Sequence, residues 1–142
     1  MMSIARYGGR RRAAFASVIS FPMLMALNTG LIAVFLMFAG WMFDGFRVAR
    51  VAQVAADAAV LEPDAGAAAG QIQAAARQAA AVQNVNVSSV TPQISEWAPG
   101  STYTVTVTAS HSIAMPWARG VIGPAVQITQ TAVGAVGFIN LG

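Results

Sequence analysis

His111, flanked by Ser110 and Ser112, is the one place in this chain where a base adjoins hydroxyl groups. A serine beside a histidine could supply a nucleophile, and a histidine could hold a metal. Either chemistry needs several further groups converging on one point. The chain has one histidine and no cysteine. The acids Asp57, Glu62, Asp64 and Glu96 are too scattered to suggest a general acid–base pair. Gly8-Gly9 precedes arginines rather than joining a strand to a helix, so it is no phosphate cradle. The residues thus point to a non-enzymatic protein with no cofactor and no metal site. His111 is expected as a surface or interface residue at a strand end.

The chemistry that remains belongs to a membrane boundary. Arg10, Arg11 and Arg12 stand before an uncharged run over residues 13–43, interrupted only by Ser17, Ser20, Asn28 and Thr29. A bilayer core takes about 20 apolar residues in a helix, and a lone segment can cross it only as a helix. The spacing predicts a basic cytoplasmic tail over 1–12 and a transmembrane helix over 13–43. The apolar run exceeds the roughly 7–15 residues of a secretory signal, which makes it a retained anchor. Arg6 and the triple arginine precede it, against Arg47 and Arg50 beyond it, so the N-terminus is expected in the cytoplasm. Trp41 falls where an amphipathic indole anchors at an interface. Asp44 and Arg47, three positions apart, can pair as the helix leaves the bilayer.

At 142 residues, 56% hydrophobic and 9% charged, the chain has room for one anchor and one small domain. Its net charge of +3 comes entirely from arginine as the basic residue. Half of those arginines precede the apolar run, where they hold and orient a membrane helix, so nucleic acid is not the expected partner.

Past the membrane the helix is expected to continue over 44–62 as a stalk, since alanine is the best helix former and no proline intervenes before Pro63. Val48, Val51, Ala52, Ala55 and Ala59 make one helical stripe. That stripe reads either as a seam between subunits or as the face on which the chain's own domain docks. Within the membrane segment, Pro22 removes one backbone hydrogen bond, and Asn28 could reach a neighbouring helix or bond its own backbone.

Residues 63–142 are expected to form a small α+β domain outside the membrane. Asp64 is a candidate N-cap for an alanine-rich helix from Ala65 to about Val82, with Ile72, Ala75, Ala76, Ala79 and Val82 as its apolar face. Val85, Val87 and Val90 suggest a first strand, its end disturbed by Pro92. Residues 102–109 alternate strictly, with Tyr103, Val105 and Val107 on one face and threonines on the other. A helical turn at 117–121 and a last strand over 125–136 complete a three-stranded antiparallel sheet with one wet face. Trp97 and Trp117 lie in loops, as core lids or docking residues.

Taken together these residues resemble the TadE/TadG-like proteins. Asp44-Gly45-Phe46-Arg47-Val48-Ala49-Arg50, followed by Ala55-Ala56-Asp57-Ala58-Ala59, is similar to their membrane-exit signature. Arg10-Arg11-Arg12-Ala13-Ala14-Phe15 is similar to their basic, phenylalanine-containing start. The Val-Thr-Val-Thr-Ala strand at 105–109 and the close at 131–136 extend the likeness over nearly the whole chain. The resemblance implies a subunit of the tight-adherence (Flp-type) pilus of bacteria or of its assembly machinery. It would be held in the inner membrane with its domain periplasmic or extracellular. Its partners would be the lipid bilayer and other membrane or pilus subunits, met through the N-terminal helix in a homo- or hetero-oligomer. In members cut by a prepilin peptidase, cleavage follows a glycine and a glutamate stands five residues on. Here the candidate is Gly9, but the fifth residue after it is Ala14, which favours the membrane-retained TadG-like branch. The rival readings are an accessory single-pass subunit of a larger respiratory or secretion complex, and a membrane-bound filament or viral structural protein.

Overall fold

The computed structural model describes residues 5–137; the side chains of residues 5–13 and of Phe15 lie outside that description. Three helices and three strands follow in the order α1 (Ala5–Ala58), α2 (Ala65–Gln83), β1 (Val87–Gln93), β2 (Thr102–Ser112), α3 (Pro116–Ile122) and β3 (Ala125–Ala135). The chain makes two compact units, one ending at Ala39 and one starting at Gly40. The architecture is α+β.

The first unit is helix throughout its described length. α1 continues through Pro22 without a break. By length and composition it suffices to cross a membrane, and none of its most apolar window is buried within the chain. It is already helical at Ala5, ahead of the residue 13 that the sequence suggests. Gly8 and Gly9 each cost a helix only about 1 kcal/mol, too little to end one that arginines and alanines propagate on either side.

In the second unit β2 is the central strand of an antiparallel sheet in the order β1-β2-β3. β2 and β3 pair without a register shift from Thr102↔Ala135 to Ser112↔Ala125. β1 pairs with β2 past an irregularity between Val87 and Ser89. Pro92, expected to disturb the strand's end, instead lies within it opposite Val105. An edge strand tolerates the missing N–H because one side of it has no ladder to complete. The expected wet face is present: Thr106 and Thr108 hydroxyls meet those of Thr131 and Thr129, each at 3.2 Å.

The other face is dry. Tyr103, Val105, Val107 and Ala109 alternate inward and are buried with Ile128 and Ala132 of β3. Above them lie the second part of α1 and α2. All five residues of the expected stripe, Val48, Val51, Ala52 and Ala55 of α1 and Ala59 just past its end, have no exposed surface, so it is the chain's own domain that docks there and not a second subunit. Alanine and valine suit that position because small side chains let a helix lie close on a sheet. In α2 the buried stripe is Ala68, Ile72, Ala76 and Ala80. Val82, expected on this face, is 76% exposed. The i, i+4 series through Ile72 is the one that meets the sheet.

The turns follow local chemistry. α1 ends at Ala58, ahead of the expected 62, because its last bonds tighten to the i−3 type, Ala59 N–H to Ala56 O and Glu62 N–H to Ala59 O, before Pro63. Asp64 caps α2 as expected, its Oδ1 accepting from the Ala67 N–H at 2.8 Å. α2 closes on Asn84 in the left-handed region (φ 53°), and the Val85 N–H returns to Ala80 O. Val85, expected in the first strand, belongs to this cap. The single turn expected at 117–121 is a helix of seven residues, Pro116–Ile122, with Pro116 in its first turn.

Candidate functional site

Asp44 is the hub of a small polar cluster on the second unit. The expected pair with Arg47 is present, Nη1 to Oδ1 at 3.2 Å. The other oxygen, Oδ2, meets His111 Nδ1 at 2.5 Å. α1 supplies the acid and arginine one turn apart, and β2 supplies the histidine near its end. His111 is therefore not a plain surface residue: its side chain is 19% exposed and faces α1. Strand parity was the available signal, because residue 111 shares a face with Tyr103, Val105, Val107 and Ala109. With Arg47 half exposed, the arginine–aspartate pair is worth only about 0.2–1 kcal/mol. The cluster's value is positional, since it fixes where β2 meets α1.

An open pocket of about 290 Å³ adjoins it, lined by Asp44, Val48, Asn84, Asn86, His111 and Ile128. Ser110 and Ser112 flank His111 in sequence, but neighbours on a strand point to opposite faces. Ser110 instead accepts from Asn86 Nδ2 at 3.3 Å. The Ser–His–Ser run thus assembles no nucleophile–base pair. A larger groove of about 610 Å³ runs between α2 and β1, where Arg77 is the charged side chain of the lining. Among the described residues no group of three His, Asp or Glu side chains converges as metal ligands would.

At the opposite end of the same helix–strand contact, Tyr103 locks α1 to the sheet. Its hydroxyl donates to Ala56 O at 2.5 Å, and its ring lies 5.3 Å from that of Trp97. Trp97 Nε1–H donates to Glu62 O at 3.0 Å, which makes this tryptophan the core lid. Trp117 is 55% exposed and takes no such part. Tyr103 pairs across the strands with Gly134, where an added Cβ would collide with the ring. Burial raises the Tyr103 hydroxyl above its usual pKa, and the negative charge of Asp57 raises it further. The contacts Asp44–His111 and Ala56–Tyr103 make α1 run antiparallel to β2 along the sheet.

In the first unit the side chains that matter are large, apolar and exposed: Phe21, Leu24, Leu27, Leu31 and Phe35 among them. Trp41 stands beyond this run and is partly exposed. Pro22 and Asn28 lie within it, on α1. The side chains of Arg10, Arg11 and Arg12, expected to orient the helix, lie outside the described residues, and Gly9 lies among positions described by backbone alone. No family model, curated protein or solved structure matches the chain.

Proposed function

We propose that this protein is a non-enzymatic, membrane-anchored subunit of a tight-adherence-type pilus or of its assembly machinery, as the resemblance to TadE/TadG-like proteins implies. The observation that carries the reading is the change in α1 near Gly40. Before it, Phe21, Leu24, Leu31 and Phe35 are exposed among the described residues. In water such a surface would aggregate; in a bilayer it is solvated. After it, Val48, Val51 and Ala52 are fully buried in a folded domain. A helix of that kind anchors and displays a domain rather than enclosing a reaction. The bacterial inner membrane with the N-terminus cytoplasmic is the topology that the arginine distribution favours.

Three measurements on the full chain test this. Resistance of the chain to alkaline extraction from membranes checks the anchor. Mass spectrometry of the N-terminus checks retention: a chain beginning at Arg10 would mean cleavage after Gly9 and a processed pilin. Affinity purification from the native cell, followed by identification of co-purifying subunits, checks the assembly. Recovery of a respiratory complex without pilus components would replace the pilus reading with the accessory-subunit one.

A further inference from the structure

Four polar side chains interrupt the apolar run of α1, and they differ in how they are satisfied. Ser17 Oγ donates to Ala14 O at 2.9 Å, Ser20 Oγ to Ser17 O at 3.2 Å and Thr29 Oγ1 to Met25 O at 2.8 Å. These are the back-bonds by which hydroxyls sit in an apolar helix without a partner. Asn28 makes no such bond among the described residues. Its amide carries two N–H donors and a carbonyl acceptor, and it sits at the midpoint of the uncharged run 13–43. At that depth there is no water to take their place.

We infer that α1 pairs with α1 of a second copy of this chain, in parallel, through an Asn28–Asn28 hydrogen bond at the middle of the membrane. The inference rests on the anchored reading proposed above. A second copy is the occupant for two reasons. An amide is both donor and acceptor, so two copies related by a two-fold axis satisfy each other. Copies inserted in the same orientation also hold Asn28 at the same depth automatically, whereas a different helix would have to match a polar group to the midplane. Polar side chains are the glue of such helix pairs, because lipid offers no hydrophobic force to join them. The contact face runs through Phe21, Leu24, Asn28, Ile32 and Phe35, which follow the helical period. Ala26, Gly30 and Ala33 lie on the opposite side.

The chain has no cysteine, so single-cysteine variants report without background. Full-length Leu24→Cys, Ile32→Cys and Phe35→Cys, oxidised in native membranes, should form disulfide-linked dimers of the chain. Ala26→Cys, Gly30→Cys and Ala33→Cys should not. Adding Asn28→Leu to Ile32→Cys should weaken dimerisation by roughly 3- to 30-fold, and Asn28→Gln should retain most of it. Cross-linking on every face alike, cross-linking only to a different protein, or indifference to Asn28→Leu would each overturn the pairing. Alkaline extraction of the same membranes separates the two failures. A chain that is released overturns the anchor and the pairing together, whereas an integral but monomeric chain overturns the pairing alone.

Discussion

The two parts of α1 are both helical and both free of proline except at Pro22, yet their side chains meet different surroundings. Up to Ala39 the large ones are leucine, phenylalanine and methionine with some isoleucine and valine, and they are exposed. From Val48 onward the inward ones are alanine and valine, and they are buried. Side-chain size and charge both distinguish them, since residues 13–39 carry no charge and the later part holds Asp44, Arg47, Arg50 and Asp57. Lipid chains are fluid and accept any bulky apolar side chain, whereas a sheet closes on a helix only as far as the side chains between them permit. The comparison teaches that one helix can turn bulky apolar side chains outward in one part and pack small ones on a sheet in the other.

If that division is right, truncating a large residue should matter only in the packed unit. Tyr103→Ala should destabilise the sheet unit by about 3–5 kcal/mol, through loss of its ring against Trp97 and Gly134 and of its bond to Ala56. Phe35→Ala should leave it within about 0.5 kcal/mol. Denaturant unfolding of the full chain in detergent, followed by near-ultraviolet circular dichroism, checks both. Equal losses would mean that the two parts of α1 are packed alike.

Much of this was legible in the sequence, and the gaps have identifiable causes. The strict alternation of 102–109 fixed the central strand and its dry face, and Asp64 with Pro63 fixed the break between the helices. The stripe from Val48 to Ala59 was legible as a seam but not as to what lies on it, because alanine packs equally well on a partner's helix and on a sheet of its own chain. The Asp44–Arg47 pair could be read from helical spacing alone. His111 could not be joined to it in that way, since the contact is set by how a strand sixty-seven positions away lies on the helix. Val82 and Ala80 show the limit of periodicity in an alanine-rich helix: when every face is small, the pattern does not choose one.

A second substitution pair tests the exposed part. Leu31→Arg places a charge near the middle of the apolar run, against which a membrane opposes about 2.5–3.5 kcal/mol. The fraction of chain resisting alkaline extraction should fall accordingly. Val54→Arg, at a partly exposed position of the packed unit, should leave that fraction unchanged. A matching loss from Val54→Arg would place the boundary beyond Gly40. Gly134→Ala is a subtler probe of packing, because the added methyl collides with the buried Tyr103 ring, which must shift. It should cost about 1–3 kcal/mol in the same unfolding experiment.

The smallest effect isolates one hydroxyl at the helix–sheet contact. Tyr103→Phe keeps the ring against Trp97 but removes the bond to Ala56 O, a carbonyl that still accepts from the Ala59 N–H at 3.3 Å. The loss should therefore be only about 0.5–1.5 kcal/mol near neutral pH. Its pH dependence has a definite sign. Burial, then the Asp57 charge, raise the Tyr103 pKa in the folded chain above the value of about 10 that it takes when unfolded. Below pH 10 both states keep the proton and the hydroxyl's contribution is whole. As the pH climbs through the folded pKa that contribution is lost, because the unfolded state gives up its proton first. Stability curves of the wild type and of Tyr103→Phe should run parallel to about pH 10 and converge above it. Tyr7 is the only other tyrosine, so absorbance at about 295 nm in the variant supplies the baseline for the titration. Curves that stay parallel to the highest pH at which the fold persists would mean that Tyr103 is not held dry between α1 and the sheet.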